Sequence, residues 1–307
     1  MQDMTRRGFL EAAGMAAVVP SATAIAAQAG RPARGPMSVE KNIIFGKAGN
    51  TDLHLDIYKP AEVVEKRMAM IHIHGGGFTA GSKDGLADRV APFVALGYVA
   101  IPVQYRLAGE AKWPAQIEDV KAAIRWTRAH AESLAVDAEK IAVVGYSAGG
   151  HLALFAAGTG NRPEFEGNNG TPGVSTQVAV CCAYYPATEV RPRADGTANI
   201  LLPAGSDEAA HRVASPLTYV AKGFPPTVIF HGTADVTIPL ESSERLFKKF
   251  RDVQVPAEFH AFEGVPHAFD SNPEFAKMAA ELSDFFIDRK VLHPRTYPPF
   301  GGGRGGR

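Results

Sequence analysis

One stretch constrains what this chain can fold into more than any other, Gly145-Tyr146-Ser147-Ala148-Gly149. Residues 141–144 before it are apolar and predict a buried strand, and residues 150–157 after it predict a helix. Glycines beside the serine permit a turn too sharp for larger side chains, so Ser147 would project from the end of the strand. An incidental serine in a glycine-rich turn is the plainer interpretation. The strand and helix on either side favour a nucleophilic serine instead.

A second glycine run, Gly75-Gly76-Gly77-Phe78, directly follows an apolar strand predicted at residues 68–74. Successive glycines cost backbone entropy, so a specific requirement should favour them. Backbone N–H groups that must approach a substrate oxygen closely provide such a requirement. The position after a strand and upstream of the serine turn therefore favours an oxyanion hole over a plain flexible loop.

The predicted elements alternate between strands and helices. Residues 38–45 and 53–58 predict an antiparallel edge hairpin, and the later strands are apolar throughout, as in a parallel sheet covered on both faces. We therefore expect an α/β fold with a mostly parallel sheet, an antiparallel N-terminal hairpin and helices on both faces. Two irregular segments, residues 158–176 and 189–214, predict a short helical cap over the site.

Composition narrows the class of protein further. The 307 residues carry no net charge, which gives no indication of a nucleic-acid surface. His72 and His74 could form half of a metal site, but no other cluster has suitable spacing, so we expect neither a metal nor another cofactor. Neighbouring residues of a strand point to opposite faces, so Cys181 and Cys182 are expected to be free buried thiols.

The N-terminal residues predict an export signal. Thr5-Arg6-Arg7-Gly8-Phe9-Leu10 matches a twin-arginine pattern, and an alanine-rich stretch follows it up to Ala29. That stretch is too weakly apolar to favour the alternative of a permanent membrane anchor. The expected organisation is a twin-arginine signal peptide at 1–29, a linker at 30–37, a catalytic domain at 38–292 and a Gly/Arg-rich tail at 293–307. The predicted partner is the twin-arginine export machinery, and the predicted location is periplasmic or secreted.

Ser147 needs a base, and the base needs an orienting carboxylate. Asp235 follows the apolar strand predicted at 227–231, and His267 lies in the loop after the strand predicted at 257–262. These positions bring all three to one edge of a parallel sheet, in the order serine, aspartate, histidine. His260 and His293 are the competing histidines, but one lies within a strand and the other follows the last core helix.

These motifs resemble the α/β-hydrolase superfamily over residues 38–289. The resemblance is to the esterase branch near hormone-sensitive lipase, although that branch usually has an aspartate where this chain has Tyr146. Gly81-Ser82-Lys83 and His151-Leu152-Ala153 make the chain more similar to bacterial feruloyl and acetyl-xylan esterase-like enzymes. The motifs that carry the resemblance are His74-Gly75-Gly76-Gly77-Phe78, Tyr105-Arg106-Leu107, Gly145-Tyr146-Ser147-Ala148-Gly149-Gly150-His151, Ser215-Pro216-Leu217, His231-Gly232-Thr233-Ala234-Asp235 and His267.

The resemblance implies a role for each matching residue. Ser147 would be the nucleophile, His267 the general base and acid, and Asp235 the residue that orients it. The oxyanion-hole donors would be the N–H groups of Gly76, Gly77 and Ala148. Phe78 and Tyr146, beside these groups, are predicted to contact substrate.

The expected function is a serine carboxylesterase that hydrolyses short-chain or carbohydrate-linked acyl esters. Another serine hydrolase of the same fold, such as a lipase, peptidase or arylformamidase, is the alternative. A non-catalytic member of the fold is disfavoured because the serine, aspartate and histidine are all present. The two irregular segments hold few large apolar residues, which predicts short acyl groups rather than the long chains of a lipase.

Overall fold

Eight strands form one sheet in the computed structural model, which describes residues 37–61, 67–192 and 199–297. In chain order they are β1 (Ser38–Ala48), β2 (Thr51–Lys59), β3 (Ala69–Ile73), β4 (Val99–Val103), β5 (Ile141–Tyr146), β6 (Val180–Tyr184), β7 (Thr227–Gly232) and β8 (Ala257–Phe262). The predicted signal peptide, most of the linker and residues 298–307 of the tail lie outside the described residues.

The strand order is β1-β2-β4-β3-β5-β6-β7-β8. The pairs β1–β2 and β2–β4 are antiparallel, and every other neighbouring pair is parallel. The mostly parallel sheet with an antiparallel N-terminal hairpin is thus confirmed. Because β3, β5, β6, β7 and β8 run in one direction, the loops after them meet at the same edge of the sheet, as the site prediction requires.

Helices cover both faces of the sheet. They are α1 (Ala87–Ala95), α2 (Ala115–Ala129), α3 (Ala148–Gly158), α4 (Glu208–Val213), α5 (Glu241–Asp252) and α6 (Pro273–Ile287). One buried cluster joins α2, α3 and α5 to one face, and a second joins α1 and α6 to the other. Neighbouring strand residues divide between the clusters, for example Val143 and Val144. This alternation explains why the central strands are apolar at every position.

Cys181 and Cys182 follow the same alternation. Both are fully buried free thiols, one in each cluster. Burial raises the pKa of both thiols, that of Cys182 to about 12. Within the described ranges, no helix is long and apolar enough to cross a bilayer.

Candidate active site

Ser147 occupies a strained turn between β5 and α3. Its backbone has φ 56° and ψ −115°, an unfavourable conformation for a residue with a side chain. The flanking glycines make the turn possible, because a Cβ on Gly145 would lie 2.0 Å from the carbonyl oxygen of Gly149. A Cβ on Gly149 would lie 2.0 Å from the carbonyl oxygen of Ile73 in β3. The turn therefore holds the start of α3 directly against the central strands.

Three side chains form a continuous hydrogen-bonded chain at this edge of the sheet. His267 Nε2 lies 3.0 Å from Ser147 Oγ, and His267 Nδ1 lies 2.6 Å from Asp235 Oδ2. An ionised carboxylate can accept hydrogen bonds but cannot donate them, so the proton between Asp235 and His267 lies on Nδ1. The unprotonated Nε2 then faces the serine hydroxyl. This arrangement leaves Nε2 positioned to accept the hydroxyl proton of Ser147.

Asp235 is held ionised by its surroundings. Burial acts to raise the pKa of its carboxyl, but hydrogen bonds from His267 and from two backbone N–H groups outweigh burial and lower it. Those backbone donors are Ile238 and Thr237, at 2.9 and 2.8 Å from Oδ1. The side chain of Asp235 is fully buried, so few alternative orientations are open to it.

His231 is a buried neighbour of Asp235. Its Nε2 lies 2.9 Å from the carbonyl oxygen of Ile238 and 3.1 Å from Asp235 Oδ2, and both of these atoms only accept. Nε2 therefore carries a proton, and Nδ1 accepts from Ser243 Oγ at 2.7 Å. Burial lowers the pKa of His231, which keeps the ring neutral beside the carboxylate. The buried His231 thus places its Nε2, which donates to Ile238, within 3.1 Å of Asp235 Oδ2.

The glycine run lies beside Ser147. Gly76 has φ 114° and Gly77 has φ 60°, and a Cβ on Gly76 would lie 2.1 Å from the carbonyl oxygen of Ala80. No described residue accepts a hydrogen bond from the N–H of Gly76 or Gly77. The N–H of Ala148 is at the first position of α3, where no intrahelical acceptor exists. These three groups are available to a substrate oxygen.

His74 holds the peptide between Gly75 and Gly76. Its Nδ1 lies 2.8 Å from the carbonyl oxygen of Gly75, and its ring stacks on Tyr105 with centroids 4.2 Å apart. Tyr105 in turn donates from its hydroxyl to the carbonyl oxygen of His74. The carbonyl and N–H of one trans peptide point in opposite directions, so fixing the carbonyl of Gly75 also fixes the direction of the Gly76 N–H.

A pocket of about 460 Å³ opens around Ser147. Of the predicted site residues, it is lined by Gly76, Gly77, Tyr146, Ser147 and His267. The other lining residues are His74, Gly75, Gly81, Ser82, Gly85, Leu86, Arg89, Tyr185, Thr237 and Ala268. Asp235 and Ala148 are buried next to it.

Phe78 does not line this pocket. It is 8% exposed and packs edge-on against His151, with ring centroids 5.3 Å apart, and it is not among the pocket-lining residues. Contact between Phe78 and substrate stays a prediction. The described residues of 158–176 and 189–214 do not line the pocket either. The helix α4 lies in the second segment, and residues 193–198 of that segment lie outside the described residues.

The histidines considered as half of a metal site have other contacts. His72 Nδ1 lies 3.1 Å from the hydroxyl of Tyr146, and burial lowers the pKa of His72 to about 3. Within the described ranges there is no group of three His, Cys, Asp or Glu side chains arranged to hold a metal ion.

Sequence reasoning missed Arg89, Tyr185 and Asp270. Arg89 and Tyr185 line the pocket, and the buried Asp270 accepts hydrogen bonds from both. They come from α1, from the residue after β6 and from the turn before α6. No short motif joins them, since they meet only through the fold.

Comparison with known proteins identifies the family. The BD-FAE family model matches residues 55–250, more than half of the chain. The chain belongs to the BD-FAE family. This assignment, together with the esterases described next, confirms the resemblance inferred from the motifs and the α/β-hydrolase fold.

Among relatives of this BD-FAE chain is the probable carboxylic ester hydrolase LipM of Mycobacterium tuberculosis, 29% identical over 243 residues, which are 75% of this chain and 56% of LipM. The chain thus spans little more than half of that relative. A solved structure of the thermophilic esterase Est2 of Thermogutta terrifontis with bound propionate is 31% identical, with a TM-score of 0.71, covering 85% of this chain and 97% of that one. A truncated carbohydrate esterase from gut microbiota is 26% identical, with a TM-score of 0.68, covering 81% and 99% respectively.

Proposed function

We propose that this chain is a serine carboxylesterase in which Ser147 is the nucleophile. The observation that carries the proposal is the hydrogen-bonded chain from Ser147 through His267 to the buried Asp235. A serine hydroxyl becomes a competent nucleophile when a neighbouring base takes its proton. The similarity to proteins named as esterases supports ester hydrolysis as the reaction.

In the first half of the proposed reaction, Ser147 Oγ attacks the ester carbonyl carbon while His267 Nε2 takes the hydroxyl proton. Asp235 stabilises the resulting imidazolium through the hydrogen bond to Nδ1. The tetrahedral intermediate collapses when its bond to the alcohol oxygen breaks, and His267 returns the proton to that oxygen. The products of this half are a free alcohol and an acyl group on Ser147.

Water completes the cycle in the second half. His267 takes a proton from the water, the resulting hydroxide attacks the acyl carbon, and the bond to Ser147 Oγ breaks as that oxygen regains a proton. In both halves the negative carbonyl oxygen would accept from the N–H groups of Gly76, Gly77 and Ala148. Donors fixed before the reaction need no reorganisation, and losing one typically costs about a hundredfold or more in rate.

We further propose short-chain or carbohydrate-linked acyl esters as substrates. The pocket lining supports this choice because it contains few large apolar side chains, with Leu86 the only large aliphatic one among the described lining residues. The propionate in the Est2 structure and the name of the gut carbohydrate esterase point in the same direction.

Export by the twin-arginine route remains part of the proposal. The support is the Arg6-Arg7 pattern followed by an alanine-rich stretch, and the destination would be the periplasm or the medium. The proposed partner of the precursor is the twin-arginine export machinery.

The nucleophile is tested by Ser147→Ala. Alanine has no hydroxyl to acylate, so we expect hydrolysis of p-nitrophenyl acetate to fall by about four orders of magnitude or more. The fold should persist, since alanine is no larger than serine. The measurement combines steady-state rates with mass spectrometry after exposure to a fluorophosphonate, which should add one label to the wild type at Ser147 and none to the variant.

A matched control is Ser82→Ala, because Ser82 lines the same pocket without a hydrogen bond to His267. That variant should still be labelled at Ser147. A folded Ser147→Ala protein that hydrolyses p-nitrophenyl acetate at near wild-type rates would contradict the assignment.

A further inference from the structure

Arg89 brings a guanidinium into the wall of the Ser147 pocket. It lies in the first turn of α1, and its side chain is 22% exposed. Its charged carbon lies 5.5 Å from the ring centroid of Tyr146, the residue directly before Ser147. A positively charged donor therefore lines the same pocket as the proposed nucleophile.

Some N–H groups of the Arg89 guanidinium make no hydrogen bond to the described residues. Arg89 Nε donates to Asp270 Oδ2 at 2.5 Å, and Nη1 donates to the carbonyl oxygen of Gly85 at 3.3 Å. A guanidinium has five N–H groups. Both N–H groups of Nη2, and one of Nη1, find no acceptor among the residues that the structure describes.

Tyr185 is the second donor to Asp270. Its hydroxyl donates to Asp270 Oδ1, and Arg89 donates to the other oxygen, Oδ2. The ring of Tyr185 also packs against His267, with centroids 4.6 Å apart. The buried Asp270 thus holds both Arg89 and Tyr185, which line the pocket.

Arg106 shows what a purely structural arginine looks like in this chain. It pairs with the buried Asp119 and is 18% exposed, close to the exposure of Arg89. Its Nε and Nη2 both bind Asp119 at 2.8 Å, and Nη2 also reaches the carbonyl oxygen of Ala115. Arg106 does not line the pocket. The bidentate pairing that consumes Nη2 in Arg106 is absent at Arg89.

We propose that Arg89 binds an oxygen substituent of the ester substrate. Asp270 already balances the charge of Arg89, so the site suits a neutral acceptor, a hydroxyl, methoxy or carbonyl oxygen, better than a carboxylate. The substrate class is an ester with such an oxygen near the bond that is cleaved, on its alcohol part or on its acyl part. This inference rests on the proposed esterase function and names the substrates that the site prefers.

The test compares two pairs of esters that differ in their oxygen substituents. A monoacetate of methyl β-xylopyranoside is compared with cyclohexyl acetate, and methyl ferulate with methyl cinnamate. Arg89→Lys keeps a positive charge beside Asp270, but a single nitrogen cannot pair with Asp270 and replace the fork facing the pocket. Arg106→Lys is the matched control, because it alters an equivalent ion pair outside the pocket.

We expect wild-type kcat/KM to favour the oxygenated ester at least tenfold in one pair, as one hydrogen bond to a charged donor provides. Arg89→Lys should reduce this preference to within about threefold. Arg106→Lys should keep the wild-type preference. Loss in the xyloside pair assigns the oxygen to the alcohol part, and loss in the ferulate pair assigns it to the acyl part.

Three results would overturn the inference: no wild-type preference in either pair, an unchanged preference in Arg89→Lys, or an equal loss in Arg106→Lys. The proposed function fails separately, since it requires the wild type to hydrolyse at least one of the four esters. A wild type that hydrolyses these esters without regard to Arg89 would refute this inference alone.

Discussion

Two buried histidines near Ser147 are uncharged in the folded protein. Burial lowers the pKa of His72 to about 3 and, despite backbone hydrogen bonds that act to raise it, lowers the pKa of His151 to about 4. Each has a buried Nε2 without a hydrogen-bond partner in the described structure. A proton on either ring would therefore be poorly stabilised, and both residues should affect the stability of the fold in acid.

Stability is expected to fall as the pH drops below about 6.5. Unfolded histidines bind protons below that pH, whereas His72 and His151 resist protonation until the pH nears their lowered values. The unfolded state therefore binds more protons, and each residue should reduce the free energy of unfolding by up to about 1.4 kcal/mol per pH unit. Urea unfolding between pH 7 and pH 5 measures this slope.

His72→Gln isolates one of the two contributions. It should make the slope shallower by about one proton. Equal slopes for wild type and His72→Gln would show that His72 does not act in this way.

The sequence indicates where residues that follow a strand end will lie, but it does not identify residues whose position depends on distant partners. Ser147, Asp235 and His267 were placed together because each follows a strand of one parallel sheet. Asp119 of α2 is fully buried and paired with Arg106. Helix periodicity identifies the apolar stripe, but it cannot show a loop arginine that covers the opposite side.

At the scale of elements, the contact between α3 and β3 determines where the nucleophile lies. The start of α3 approaches the end of β3 so closely that Gly149 has no room for a side chain. The direction of the Ala148 N–H depends on the same contact, because Ala148 begins the helix. The packing of these two elements therefore controls Ser147 and one proposed oxyanion donor together.

Gly149→Ala should separate this pair of elements. The added methyl would lie 2.0 Å from the carbonyl oxygen of Ile73 and 2.5 Å from that of His74, both on backbone that cannot rotate away. We expect a loss of about 1–3 kcal/mol in stability, the usual cost of overpacking. The esterase rate should fall at least tenfold because Ser147 and Ala148 shift with the helix.

Gly109→Ala is the matched control, since nothing lies within 4 Å of its Cβ position and its backbone is not left-handed. It should be neutral or slightly stabilising. Chemical denaturation and p-nitrophenyl acetate hydrolysis of both variants make the comparison. Full activity and stability in Gly149→Ala would mean that α3 can move without displacing Ser147.

The segment at 158–176 was predicted to be part of a cap, and its contacts explain why it lies elsewhere. Glu166 pairs with the buried Lys121 and Arg125 of α2, and Asn169 binds Asp119 through its amide. These partners lie between 41 and 50 positions apart along the chain. The polar residues of this segment therefore bind it to α2.

At the scale of the whole molecule, the pocket should select acyl chains by length. Its volume of about 460 Å³ is shared by both parts of the ester, and its lining is rich in glycine and polar groups. Each buried methylene is worth only about 0.8 kcal/mol, so a long acyl chain needs an extended apolar groove to gain affinity.

We expect kcat/KM for p-nitrophenyl esters to be highest between acetyl and butyryl and to fall steeply by octanoyl. Rates with a graded series of acyl chains measure this directly. A continuous increase up to palmitoyl would replace the esterase proposal with the lipase alternative.

Export by the twin-arginine route can be tested in whole cells. The paired substitution Arg6→Lys and Arg7→Lys should leave active precursor in the cytoplasm, since the twin-arginine route requires this pair. Cell fractionation with activity measurements separates the compartments, and Arg31→Lys with Arg34→Lys, outside the motif, serves as the control. Normal delivery of the paired Arg6 and Arg7 variant to the periplasm would exclude the twin-arginine route.

The arrangement of the sheet followed from the sequence because strand and helix patterns alternate and hydrophobic runs mark buried strands. The shape of the pocket did not follow, because Arg89, Tyr185 and Asp270 become neighbours only when α1 and the turn before α6 pack on one face. Local sequence patterns indicate where each strand ends, whereas the walls of the pocket depend on which distant elements pack together.

The burial of Cys181 and Cys182 makes the chain suitable for site-specific labelling. They are the only two cysteines in the sequence, and thiol reagents react with the accessible thiolate. Because both thiols are enclosed and their pKa values are raised, a maleimide dye should find almost no native target in the folded protein. A single cysteine introduced at the exposed Val236, between Asp235 and the pocket-lining Thr237, would therefore carry a fluorophore without removal of either native residue.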